Sequence, residues 1–259
     1  MLEVALEAAR AGARVLQRAG LGRRRGQRKA LPGDYVTEQD RFSEAAILEV
    51  LARRAPGIQV LAEEGGGATS GTRWVVDPLD GTTNWIHGLP VVGVSVALLD
   101  RGEPVLGVVI APWLGLEFAA ERGHGATLNG ERLADLDAGE PATAIVATGF
   151  PFRRKHLLPR YLPVFEGALR RFEDLRRAGA ASLDLAWTAS GTCDGFFELG
   201  LGPWDVAAGA ALVLEVGGRV SDWQGGNGWL ESGDILAAPP AIHEVLVELA
   251  LRSSPERPA

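Results

Sequence analysis

The chain has a single cysteine among its 259 residues. One thiol excludes an intrachain disulfide framework and a thiolate zinc site. Cys193 stands in Gly191-Thr192-Cys193-Asp194-Gly195-Phe196-Phe197 with no histidine beside it, so it reads as a small buried hydrophobe and not as a nucleophile. Histidine is also scarce. His87, His124, His156 and His243 are scattered without ligand spacing, which argues against a zinc or histidine-based mechanism. No apolar run approaches the roughly 20 residues needed to span a bilayer. The opening Met1-Leu2-Glu3-Val4-Ala5-Leu6-Glu7 is acidic and amphipathic. It lacks the basic-then-apolar order of a signal peptide, so the cytoplasm is the expected location. Basic charge is in deficit: the net charge is −7, which argues against a dedicated nucleic-acid binder. It does not argue against a phosphorylated substrate, because divalent metals covering an acidic pocket attract anions.

What is present is a globular composition, long enough for one large domain or two small ones. Leu2, Ala5, Ala9, Gly12, Val15, Leu16 and Ala19 recur at helical spacing over 2–19. A basic, breaker-rich stretch follows from Gly20 to Gly33 and reads as a loop. Thr37-Glu38-Gln39-Asp40 resembles a helix start with Thr37 as N-cap, and Pro56-Gly57 ends that helix. Strands are expected at Ile58–Ala62 and Arg73–Val76. Antiparallel strands are expected at Val91–Leu99, Pro104–Ile110 and Leu116–Ala120. After about residue 140 the texture turns α/β. Strands are expected at Ala144–Thr148, Phe196–Leu199, Arg219–Ser221 and Ile235–Ala238. Helices are expected at 159–173, 182–190, 206–216 and Ala241–Leu251. The expected organisation is a single unit over 1–259 built of two halves, 1–140 (α+β) and 141–259 (α/β), with stacked helix and sheet layers.

Four segments place acids beside turn residues. They are Asp34-Tyr35-Val36-Thr37-Glu38-Gln39-Asp40, Leu61-Ala62-Glu63-Glu64-Gly65-Gly66, Asp77-Pro78-Leu79-Asp80 and Pro203-Trp204-Asp205. Acids at strand ends lie where α/β sheets usually build their sites. Trp74-Val75-Val76-Asp77 is too apolar to lie on a surface, and a buried acid must be paired or hold a metal. Converging Glu63, Asp77, Asp80 and Asp205 would repel one another and raise their own pKa values. Magnesium, which takes oxygen ligands and keeps some water, would relieve the repulsion. Gly81-Thr82-Thr83-Asn84 then opens a helix whose free amides suit phosphate. One turn carrying both elements suggests metal-assisted chemistry on a phosphate ester.

Together these segments resemble the inositol monophosphatase family of metal-dependent, lithium-sensitive phosphatases. Asp77 to Asn84 looks like the family's first signature. Trp204-Asp205-Val206-Ala207-Ala208-Gly209 through Glu215-Val216-Gly217-Gly218 looks like the second. The resemblance covers nearly the whole chain. It implies a mixed α/β (α+β) fold, a layered αβαβα sandwich of the inositol monophosphatase and fructose-1,6-bisphosphatase type. It also implies two or three Mg²⁺ per site, with Mn²⁺ as a substitute, and a homodimer. Carried onto this chain, Glu63 and the Leu79 carbonyl would serve the first metal, Asp77 would bridge, and Asp80 and Asp205 would hold the second. Thr82, supported by Asp40, would orient the attacking water. The amides of Gly81 and Thr82 would hold phosphate oxygens. Lys29 would sit near the phosphate or a third metal. Gly179, Ala180, Ala181, Glu198, Asp80 and Asp205 would contact the substrate. Ala180 stands where the family usually has a hydroxyl, which removes one substrate hydrogen bond.

The expected activity is hydrolysis of myo-inositol 1-phosphate by a metal-activated water. Fructose-1,6-bisphosphatase, or another sugar or nucleotide phosphatase, is the alternative within the class. An RNA- or transcription-complex-binding regulator on the same fold is the alternative outside it, because some bacterial relatives act in ribosomal RNA transcription. Arg23-Arg24-Arg25-Gly26-Gln27-Arg28-Lys29 would be its contact, and the bland reading of that run is a solvated loop. Arg176 and Arg177 fit a substrate contact, a subunit contact or a solvated helix end. Trp187 and Trp223 fit the core or an interface.

Overall fold

The computed structural model describes residues 1–22, 26–28, 35–137 and 139–253. Helix α1 (Leu2–Ala19) buries Val4, Ala5, Ala8, Ala9, Ala13 and Leu16 and ends at Gly20. Strand β1 (Gln27–Arg28), inside the Gly20–Gly33 stretch read as a loop, pairs antiparallel with β2 (Tyr35–Val36), which follows it. Helix α2 (Glu38–Arg54) opens on a capping box in which Thr37 caps and Asp40 answers from the third position. Asp40 therefore lies in the first turn of a helix and not at a strand end.

Strands β3 (Gln59–Ala62), β4 (Gly66–Gly67) and β5 (Arg73–Asp80) follow, then the short helix α3 (Thr82–His87). A meander continues through β6 (Gly93–Asp100), β7 (Glu103–Ala111), β8 (Leu116–Glu121), β9 (Gly125–Leu128) and β10 (Glu131–Arg132). Among the described residues these strands form one sheet in the order β10-β9-β8-β7-β6-β5-β3-β4. It is antiparallel as expected through the meander, while β3 and β5 are parallel. The sheet is covered on both faces, so its central strands β5, β6 and β7 are buried at nearly every position. Trp74 and Val76 of β5 face a core shared with α1 and α2, whereas Val75 faces the opposite core.

The second half supplies β11 (Ile145–Thr148), α4 (Leu158–Arg171), β12 (Asp174–Arg176), α5 (Ala181–Ala189) and β13 (Gly195–Glu198). It ends with α6 (Pro203–Glu215), β14 (Arg219–Ser221), α7 (Trp229–Ser232), β15 (Ile235–Ala238) and α8 (Pro240–Ser253). The second sheet runs β12-β11-β13-β15-β14, parallel over its first three strands and antiparallel over the rest. Helices α5 and α6 lie between the two sheets, and α4 and α8 cover the outer face of the second. The layers are thus α1/α2, sheet, α5/α6, sheet, α4/α8, which is the αβαβα sandwich. No helix among the described residues is long and apolar enough to cross a membrane.

Two small residues set the spacing of the central layer. A Cβ placed on Gly107 of β7 would lie 2.3 Å from the Ala208 carbonyl oxygen of α6. The contact is backbone against backbone and cannot rotate away. Gly107→Val should therefore lower the thermal midpoint by several degrees, reflecting an overpacking cost of about 1–3 kcal/mol. Differential scanning calorimetry of the variant checks this, and an unchanged midpoint would show that α6 is free to shift.

Candidate metal centre

Strand β5 does not stop at Val76. It runs on through Asp80, into the stretch that the sequence places in a tight turn. Its pairing with β6 is regular to Asp77↔Ser95, slips, and resumes at Asp80↔Gly93. Pro78 has no N–H to give to the ladder, so an irregularity there is expected. The slip brings Asp77 and Asp80 together. The Asp77 carboxylate also accepts the Leu79 amide at 2.9 Å, which closes the bulge.

The third acid comes from the other half. Helix α6 begins at Pro203, three residues before the expected 206, because Pro fits the first helical turn. Asp205 is therefore inside that turn, and its carboxylate accepts the Gly202 amide at 2.6 Å. Ligand-type oxygens of Asp77, Asp80 and Asp205 all lie within 4.8 Å of one another. Asp77 and Asp80 are buried and Asp205 is half-buried. Glu63 follows β3 and lies beside this trio, close enough for its charge to act on Asp77 and Asp80.

Withdrawal from water is the main force on all three acids. It pushes Asp77 well above the usual carboxylate range, and the charges of Glu63, Asp80 and Asp205 push the same way. Asp80 rises to about 6 through burial, against the pull of its Ser182 hydrogen bonds. Asp205 also rises to about 6, through burial and then the Asp80 charge. A cluster of oxygen donors that resists ionising in mutual company is a fit for a hard divalent cation. No nitrogen or sulfur ligand joins the trio among the described residues.

Neighbouring groups fix these oxygens. Ser182, in the first turn of α5, donates to Asp80 from its amide at 2.8 Å and its hydroxyl at 2.6 Å. Ser95 of β6 donates to the Trp204 carbonyl at 3.1 Å and ties the start of α6 to the first sheet. Thr82 Oγ1 lies 3.2 Å from an Asp40 oxygen and 3.1 Å from the Leu79 carbonyl. The hydroxyl has one proton, so these two acceptors compete for it. Asp40 is fully buried; burial raises its pKa, and two bonds from Thr37 pull it down.

Gly81 precedes α3 with φ 87°, in the left-handed region. A Cβ there would sit 2.9 Å from the Val91 carbonyl oxygen and 3.3 Å from the Ala180 Cβ. The segment Gly179-Ala180-Ala181 thus lies against the start of α3. Asn84 secures the approach by donating to the carbonyls of Val91 at 2.8 Å and Ala178 at 2.9 Å. Glu198 ends β13. Burial raises its pKa well above normal, and Asp184, Asp205 and Asp80 add to the effect by charge.

The structure thus brings Asp40, Glu63, Asp77, Leu79, Asp80, Gly81, Thr82, Gly179, Ala180, Ala181, Glu198 and Asp205 into one region, formed by both halves of the chain. Lys29 lies outside the described residues. Cys193 is buried, as expected of a small hydrophobe, and burial raises its thiol to about 11. Sequence reasoning named Asn84 only as the end of the first signature, and it missed Ser182, Ser95 and Arg153, whose charge pulls down both Asp80 and Asp205. Ser182 carried a faint signal, a hydroxyl at the start of an apolar helical run. Arg153 carried none.

A family model described as the inositol monophosphatase family matches residues 1–255. The Nus factor SuhB of Pseudomonas aeruginosa is 45% identical over 221 residues, covering 83% of this chain and 82% of that protein. The solved structure of extragenic suppressor protein SuhB from Bartonella henselae superposes with a TM-score of 0.88 at 36% identity, covering 96% of this chain and 97% of the other. The Thermotoga maritima IMPase also superposes with a TM-score of 0.88, at 30% identity and 97% coverage of each chain.

Proposed function

The chain belongs to the inositol monophosphatase family, and from that premise we propose that it is a Mg²⁺-dependent phosphomonoesterase with myo-inositol 1-phosphate as its leading substrate. The observation that carries this reading is the buried convergence of Asp77, Asp80 and Asp205, with Glu63 alongside. The family is metal-dependent, and these acids with the Leu79 carbonyl are the groups that would hold the ions. Bound there, Mg²⁺ would supply Lewis acidity that lowers the pKa of water and offsets charge on the phosphoryl group.

The protein's own groups do the rest. Asp40 accepts the hydrogen bond of the Thr82 hydroxyl, so that the hydroxyl oxygen is left to accept a hydrogen bond from the attacking water. The amides of Gly81 and Thr82 donate to phosphate oxygens. Ser182 keeps Asp80 in one orientation, with both of its bonds on a single oxygen. On the alcohol side, Gly179, Ala180, Ala181 and Glu198 face the departing group. The cytoplasm is the proposed location and a homodimer the proposed assembly.

The test is phosphate release from a panel of small phosphoesters with Mg²⁺, with and without Li⁺. Turnover that needs Mg²⁺ and falls with Li⁺ is expected. No turnover on any member would sink the enzyme reading, and a strong preference for another sugar or nucleotide phosphate would replace the leading substrate. A second reading is favoured by the name of similar relatives, Nus factor SuhB. It is contact with a transcription complex, and the intact acid trio makes it an addition to the phosphatase reading and not a substitute.

A further inference from the structure

The inner stripe of α2 is polar over its first turns. Its buried side chains are Asp40, Ser43 and Glu44, and only then Ile47, Val50 and Leu51. Residues three and four apart share one face of a helix, so the three polar groups point the same way. A glutamate withdrawn from water costs stability unless hydrogen bonds compensate it. Apolar residues would fill the same space without that cost.

Each of the three groups reaches a different segment of the acid centre. Asp40 meets the hydroxyl of Thr82. Glu44 accepts the Glu64 amide at 3.0 Å, and its other oxygen lies 3.0 Å from where a Cβ of Gly65 would stand. Ser43 donates to the Pro78 carbonyl at 2.8 Å. Helix α1 closes over that hydroxyl at Gly12, where a Cβ would lie 2.7 Å from Ser43 Oγ.

Two of these bonds fall on peptide planes beside expected ligands. The Glu63 amide donates to the Val76 carbonyl at 3.1 Å, and the Glu64 amide donates to Glu44. Both planes flanking the Glu63 Cα are therefore held, one by β5 and one by α2, which sets the direction of its side chain. The plane joining Pro78 to Leu79 is held at both edges. Ser43 binds its carbonyl oxygen, and the Asp77 carboxylate accepts its N–H at 2.9 Å. The next plane, which carries the Leu79 carbonyl, starts from that fixed edge.

We propose that Ser43 and Glu44 are positioning residues, which preset the Leu79 carbonyl and the Glu63 carboxylate for a divalent cation before it arrives. The inference rests on the metal-dependent reading of the site and deepens it. Ligands already ordered lose less freedom on binding, so the cation is held more tightly. Both residues act through a neighbour's peptide group.

Two rival roles predict different results: Glu44 attracts the cation by charge alone, or both residues only fasten α2 to the sheet. Isothermal titration calorimetry of chelator-treated protein with Mg²⁺ separates them. Glu44→Met, which removes the acceptor, should weaken Mg²⁺ binding about tenfold or more. Glu44→Gln should stay within about threefold of wild type, because its amide oxygen still accepts the Glu64 N–H. Ser43→Ala should weaken binding about fivefold, the worth of one hydrogen bond. In phosphate release, the Mg²⁺ concentration for half-activation should rise in step, while kcat at saturating Mg²⁺ stays within about threefold of wild type. A Glu44→Gln loss equal to that of Glu44→Met assigns the effect to charge and overturns the proposal. A lowered thermal midpoint with unchanged Mg²⁺ affinity assigns it to fastening and also overturns it. Should Glu44→Met fail to fold, Ser43→Ala decides, and an unchanged dissociation constant there is fatal. Weakened Mg²⁺ binding in the variants supports the role even where no ester is hydrolysed, an outcome that sinks only the phosphatase reading. No Mg²⁺ binding by the wild type overturns the role itself.

Discussion

Asp77→Asn is expected to abolish Mg²⁺-dependent phosphate release while leaving the fold intact. Asp77 is the most deeply placed of the acids, and Glu63, Asp80 and Asp205 all act on it by charge. An amide keeps the shape and can still accept the Leu79 amide through its oxygen. It loses the negative charge that would hold a cation between its neighbours. Substituting an outer-shell partner of a metal typically costs about 10- to 100-fold in activity, so removing a central ligand should exceed about 100-fold. Stability should move the other way. Without metal, the substitution removes one member of a self-repelling group, so the midpoint of the metal-free variant should equal or exceed that of the wild type. Mg²⁺ should then stabilise the wild type by about 2.7 kcal/mol at 100 times its dissociation constant, raising its midpoint, and leave the variant nearly unmoved. Malachite-green phosphate assays and thermal scans with and without Mg²⁺ measure both halves. Near-normal turnover would remove Asp77 from the centre. An unfolded variant would mean that the carboxylate is needed for folding itself.

The parts of this molecule that were legible in the sequence are those in which local pattern and tertiary setting agree. The stripe of α1, the Thr37 cap, the meander around Asp100-Arg101-Gly102-Glu103 and the apolar run before Asp77 each carry their own period or punctuation. The acids were legible because a carboxylate directly after buried strand residues has few stable fates. What escaped was set by contacts far apart in the chain. Ser182 reaches Asp80 across 102 positions, and Ser95 reaches Trp204 across 109. No local spacing encodes either bond. The bulge at Pro78 also escaped, since Asp-Pro reads as a turn until the partner strand β6 is placed beside it. Arg153 has no local signal at all; its charge acts on Asp80 and Asp205 only because its segment packs at Gly149 against Glu198.

The metal-free protein should lose stability as pH rises from about 4 through about 6, and Mg²⁺ should reverse that slope. An ordinary aspartate ionises at 3.8, whereas Asp80 and Asp205 in the folded chain ionise at about 6. Between those values the folded state holds protons that the unfolded state has released. Stability falls with pH wherever the folded state binds more protons, so the contribution is fully present below about 4 and gone once pH has risen past about 6. For Asp80 alone the displacement corresponds to about 3 kcal/mol. Burial is the largest cause at both acids; Glu63 after β3 adds negative charge at Asp80 and Asp80 adds it at Asp205, while Ser182 on α5 opposes the rise at Asp80 and Arg153 opposes it at both. Most domains are expected to gain stability over this range as paired carboxylates ionise, so the predicted direction is distinctive. A cation in the cluster favours the ionised acids and binds the folded state alone. With excess Mg²⁺ stability should therefore rise with pH across the same interval, because protons and metal compete for the same oxygens. Urea titrations of chelator-treated protein at pH 4.5 and 7.5, each repeated with Mg²⁺, give the four values required. A metal-free protein more stable at pH 7.5 than at 4.5 would mean that these acids ionise near their ordinary values and do not form a self-repelling cluster. In that case the case for a divalent ion at Asp77, Asp80 and Asp205 loses its electrostatic basis.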